Sequence, residues 1–175
     1  NVSVVRSSAF AKKVTVGYDL TSEDAIVTLD VLTNGVSIGA ANVVSVSGDV
    51  NRKVSKGSGK SIVWQSYQDW PDHAITNEVV QFKLTAWALD NPPQYMAVNL
   101  GVDGFMAFYP DAGAVPGGIS NDIYKTEWLL MRRIPAANVV WRMGSPIGEI
   151  GKNYDDVNNI RETPHMVRLS EDYYM

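Results

Sequence analysis

The chain of 175 residues contains no cysteine. That absence excludes a disulfide framework, a thiolate zinc site and a cysteine nucleophile together. Histidine is nearly missing as well, with only His73 and His165, too few to build a histidine metal centre. Neither lies in a Gly-x-Ser-x-Gly context, and both read as structural, His73 in a surface turn and His165 at a strand start. Long apolar runs are lacking. The longest is the five residues Phe105–Tyr109, against the roughly 20 of a membrane-spanning helix. Positive charge is also short, because 15 Lys and Arg face 19 Asp and Glu for a net charge of −4. A basic footprint for nucleic acid is therefore absent, and no nucleic-acid partner is expected. No solenoid-period repeat or low-complexity tract occurs. The first residue is Asn1 and not Met, from which we expect a processed N-terminus, a removed signal peptide and a secreted or cell-surface location.

What the chain has is β-forming material. Hydrophobic residues make up 45% and charged residues 19%, an ordinary globular balance, and there are 23 Val. Stiff β-branched and aromatic side chains suit a pleated, half-buried surface. Alternation follows at Val2/Val4, at Val14/Val16/Tyr18 and over Ile26–Val31. Asn34-Gly35, set between Val31-Leu32-Thr33 and Val36-Ser37-Ile38, predicts a type I′ hairpin, since both residues tolerate positive φ. Further strands are predicted at Val43–Val46, Ser61–Gln65, Val79–Leu89 and Tyr95–Leu100, with no amphipathic helix to make a parallel crossover. The expected fold is all-β: an antiparallel immunoglobulin/fibronectin III-like sandwich over residues 1–100, with Trp64, Phe82 and Trp87 as core bulk.

After Leu100 the composition shifts. Five glycines between Gly101 and Gly118, with Pro110 and Pro116, predict a linker over 101–125. A β-rich segment, 126–175, follows. Within it stand Arg133-Ile134-Pro135-Ala136, Met143-Gly144-Ser145-Pro146, Glu149, Gly151-Lys152, Glu162-Thr163-Pro164-His165, Val167, Leu169 and Asp172-Tyr173-Tyr174. In that order they resemble the opening of the formylglycine-generating-enzyme (sulfatase-modifying factor) family, and the preceding residues resemble modules that precede such domains in secreted bacterial proteins. The resemblance implies a domain that continues well beyond the length seen here and an activity that depends on a copper-binding cysteine pair near its far end. This sequence has no cysteine, and Trp141-Arg142 replaces the family's aromatic-Thr pair. A truncated, non-catalytic segment without cofactor is the expectation.

Such a segment needs a surface to dock on, which is the rest of a longer chain, the chain's own sandwich or a neighbouring copy. An isolated small sheet buries too little apolar area to offset its ordering entropy, while a fully buried large apolar side chain is worth about 1.5 to 3 kcal/mol. We expect Trp128, Leu130, Val140, Trp141, Met166, Val167, Leu169, Tyr173 and Tyr174 to form an assembly interface that docks on a neighbouring copy, closing a ring or propagating a filament. The alternative is the N-terminal fragment of a secreted sulfatase-modifying-type enzyme. A third reading, a carbohydrate-binding module, rests on loop aromatics Tyr67 and Trp70. Other motifs read as structure. Gly57-Ser58-Gly59-Lys60-Ser61 is similar to a phosphate-binding loop, but Val54 stands where the first Gly belongs and a strand follows. Asp155, Asp156, Asn158, Asn159 and Glu162 lack the central Gly of a calcium loop, and Glu23-Asp24 and Asp155-Asp156 read as exposed pairs. Asn1-Val2-Ser3 fits a glycan-acceptor pattern.

Overall fold

A computed structural model describes the backbone of residues 2–6 and residues 13–76, 79–101, 105–144 and 164–175. The chain divides into two compact units, Asn1–Arg132 and Arg133–Met175.

In the first unit β1 (Val2–Arg6), β2 (Val14–Leu20), β5 (Val46–Gly48) and β7 (Gly57–Trp64) form an antiparallel sheet in the order β1-β2-β7-β5. A second antiparallel sheet orders β4 (Val36–Ser37), β3 (Ala25–Thr33) and β6 (Arg52–Val54), with β8 (Val80–Ala88) paired to β3 over nine residue pairs. The period of two in strand side chains decides what is buried. Val14, Val16, Tyr18 and Leu20 alternate inward from β2 and join Val27 and Val31 of β3 and Ile62 and Trp64 of β7 in one apolar cluster. Trp64 has no exposed surface and meets Phe82 edge-on at 6.2 Å. The Tyr18 hydroxyl donates to the Asp49 carbonyl at 2.6 Å, and burial pushes its pKa up to about 12. Asn34 and Gly35 have φ of 49° and 79° and bring Thr33 opposite Val36, the geometry that a type I′ turn requires.

Several expectations need correction. Residues 40–42 form a 3-10 turn and the strand expected from Val43 begins only at Val46. Residues 52–54, not foreseen as a strand, pair with β3. Trp87 is not core bulk: it stands on the opposite face of β8 from buried Val80 and is only half-buried. The expected last sandwich strand, β9 (Tyr95–Asn99), leaves both sheets and pairs with β10 (Met106–Tyr109) on one side and with Trp128–Arg132 on the other. Tyr95 and Ala97, with Tyr109 and Val115, build a second apolar cluster there. Residues 105–126 therefore contain a strand, a 3-10 turn at 112–114 and a short helix (Ile123–Thr126), where a linker was expected over 101–125. Buried apolar side chains at 109 and 115 are the physical reason, because they give the glycine-rich stretch something to fold onto.

In the second unit, Arg133 and Ile134, the end of β11 (Trp128–Ile134), pair with β14 (Tyr173–Tyr174). β12 (Val140–Met143) pairs antiparallel with β13 (His165–Arg168). A parallel bridge joins Ala137 and Leu169. No helix among the described residues is long and apolar enough to cross a membrane.

Candidate interaction surfaces

The residues expected to form one assembly interface divide. Trp128 and Leu130 lie on the part of β11 that pairs with β9, packed against the Tyr95, Ala97, Tyr109 and Val115 cluster. They have a home within their own unit. The others lie in the 133–175 unit: Val140 and Trp141 face Arg168 and Val167 in register, Met166 faces Arg142, and Tyr173 and Tyr174 face Ile134 and Arg133.

One carboxylate organises that unit. Asp172 Oδ2 accepts from Arg133 Nε and Nη2, both at 2.7 Å, and Asp172 Oδ1 accepts the backbone N–H of Ala136 and of Ala137, each at 2.9 Å. The Ala137 N–H bond and the Arg133 guanidinium hold this carboxyl below the usual aspartate range. Burial pushes the neighbouring Tyr174 hydroxyl up. Asn138, at φ 61°, donates its N–H to the Leu169 carbonyl, which ties the turn after Ala137 to the last strands.

Apolar burial in this unit is slight. Among the described residues of 133–175, Ala136 is the one buried hydrophobic side chain, whereas Val140 is 54% and Met166 64% exposed. Val139 and Met143 are exposed to a similar degree. The Trp141 ring lies 6.4 Å from that of Tyr173, and its Nε1 is buried with no hydrogen-bond partner among the described residues. β12 and β13 pair only with each other, so each leaves an open edge among the described residues.

A second feature had no signal in the sequence beyond alternation. The face of β3 and β8 turned away from the core carries Thr28 opposite Thr85, Asp30 opposite Lys83 and Ile26 opposite Trp87. That face is the floor of a groove of about 710 Å³. One wall is the turn at 39–42. The other runs from Phe108 to Gly117, where Asp111 Oδ1 accepts the N–H groups of Gly113 and Ala114 and fixes the 3-10 turn. Trp87 Nε1 donates to Thr28 Oγ1 at 3.0 Å, and Ser37 Oγ donates to Asp30 Oδ1 at 2.6 Å.

The other sequence candidates resolve simply. The Trp70 ring packs against the core and is stacked on His73 at 3.9 Å, while Tyr67 is 61% exposed. His73 Nδ1 lies 2.7 Å from the Pro71 carbonyl, so that nitrogen carries the proton. Gly57–Ser61 begins β7, with the Gly59 N–H donated to Asp19 Oδ1. Asp24 accepts the Lys56 N–H, which holds its carboxyl down. Asn1, Ser145, Pro146, Glu149, Gly151, Lys152, Asp155, Asp156, Asn158, Asn159, Glu162 and Thr163 lie outside the described residues. No cluster of three or more metal-ligating side chains occurs among the described residues. No protein-family model, curated protein or solved structure matches this chain.

Proposed function

We propose that the chain is a non-catalytic β module whose 133–175 unit docks, through the exposed side of β12 and β13, on a second copy. The observation that carries this reading is the imbalance in that unit, where Val140 and Met166 stand exposed on one face of the β12–β13 pair beside open strand edges, while among the described residues of the unit only Ala136 is a buried hydrophobic side chain. Covering such side chains is favourable by about 25 cal/mol per Å² of apolar surface, and open strand edges supply directional hydrogen bonds to a partner strand. The first unit, with its two facing antiparallel sheets, acts in this reading as an immunoglobulin- or fibronectin III-like carrier. An extracellular placement comes with the resemblance to modules of secreted bacterial proteins.

Light scattering across a concentration series tests the proposal. A mass that rises with concentration, and that falls to the monomer value in Val140→Asp and Met166→Asp, is the expected result. A strictly monomeric wild-type chain at every concentration rejects it.

A second reading has one observation in its favour. Arg133 and Ala136, from the first motif that carries the sulfatase-modifying-factor resemblance, are bonded to Asp172 from the last. Motif positions that meet in space act as a structural latch for a larger domain of that type. In that reading the open strands are covered by further polypeptide of the same chain. A reading frame that continues past Met175 and encodes two cysteines supports it, and a stop codon there supports self-assembly.

A further inference from the structure

We infer that the groove over β3 and β8 is a binding site for a short, uncharged oligosaccharide. The site lies wholly in the first unit and is independent of how the 133–175 unit is covered. Its volume of about 710 Å³ falls within the usual range for small-molecule clefts.

The floor chemistry selects the ligand class. Asp30 and Lys83 stand opposite each other and cancel in charge, so a strongly anionic or cationic ligand gains little net attraction. Thr85 adds a hydroxyl that can donate and accept, while the Thr28 hydroxyl, which accepts from Trp87 Nε1 and donates to the Thr85 carbonyl at 3.5 Å, keeps one acceptor lone pair. A wholly apolar ligand would strip water from the carboxylate and the ammonium without replacing their hydrogen bonds. An extended peptide adds to a sheet through a free edge. Here the floor is a sheet face: β3 is paired with β8 on one side and with β4 and β6 on the other, and the open edge that β8 leaves among the described residues lies in the plane of the sheet and not on the floor. A pyranose satisfies both halves of the site at once, laying its C–H face on an aromatic ring while its hydroxyls meet mixed donors and acceptors. Trp87 supplies the ring, and its Nε1 bond to Thr28 sets the orientation before any ligand arrives, which lowers the ordering cost of binding.

The test is an NMR titration of the intact chain with cellotriose, maltotriose and triacetylchitotriose in turn. At least one of them is expected to move the Trp87 indole signal and the Thr28 and Thr85 amides in a saturable way. Trp87→Ala should weaken that binding by roughly tenfold or more. Thr28→Val, which keeps the ring and removes its anchor, should weaken it by a smaller factor. If Trp87→Ala does not fold, Lys83→Met and Asp30→Asn read the same site, and each should reduce affinity. Trp70→Ala should leave it unchanged. Silence of the Trp87 signal with all three sugars, shifts confined to Trp70 or Trp141, or a response to an extended peptide in place of a sugar would overturn the assignment. None of these outcomes depends on the oligomeric state, so the two proposals fail separately.

Discussion

Asp69 is the side chain on which the packing of the first unit can be tested most directly. Its Oδ2 accepts two bonds, the Ser45 N–H at 2.7 Å and Trp64 Nε1–H at 2.8 Å. Trp64 is completely buried at the centre of the main cluster, so its indole N–H has no water to turn to when the carboxylate is removed. Hydrogen bonds to a charged group contribute about 1.5 to 3 kcal/mol each. Asp69 itself is half-buried, which places the pair toward the low end, so Asp69→Ala should cost about 3 kcal/mol. For a unit of this size that lowers Tm by about 10 °C. Urea unfolding followed by tryptophan fluorescence measures the loss, and a second background identifies its source. In Trp64→Phe, which has no indole N–H, Asp69→Ala should cost about 1 to 2 kcal/mol less. An equal cost in both backgrounds would refute the reasoning, as would a loss below about 0.5 kcal/mol in the parent.

Two further perturbations follow from the geometry. Gly48 sits at φ +93°, and a Cβ there would meet the Ser61 carbonyl oxygen of the neighbouring strand. Gly48→Ala should therefore destabilise by about 2 to 4 kcal/mol in thermal unfolding, whereas Gly35→Ala, with open space around it, should cost only about 1 kcal/mol. In the second unit, Asp172 has its pKa depressed by the Ala137 N–H and Arg133, so its folded form binds a proton less readily than its unfolded form. Its contribution is fully present above the ordinary aspartate range and is lost as pH falls through the folded value. The protection of the Ala136 and Ala137 amides, the intrinsic exchange rate at each pH divided by the observed rate, should fall on acidification in the parent and be low at all pH values in Asp172→Ala. Exchange in the parent that does not change with pH beyond its intrinsic dependence would contradict this.

Local chemistry made much of the first unit legible. β-branched residues in alternation define strands wherever they fall, because the preference lies in each side chain's fit to a pleat. Asn34-Gly35 defines its hairpin because only residues that tolerate positive φ can make that turn. The candidate sites were legible only in part. Alternation along β8 separates Val80 from Trp87, but it cannot say which face meets the core, and Trp87 went to the groove. The Tyr95–Asn99 strand has the same local pattern as its predecessors, yet it pairs with Trp128–Arg132 because Tyr109, Val115, Trp128 and Leu130 offer it a core. The bond from Arg133 to Asp172 spans 39 residues. Backbone preference is settled within a few residues, while the choice of partner depends on which distant surfaces bury the most apolar area and satisfy the remaining polar groups. That second choice was made only when the chain folded.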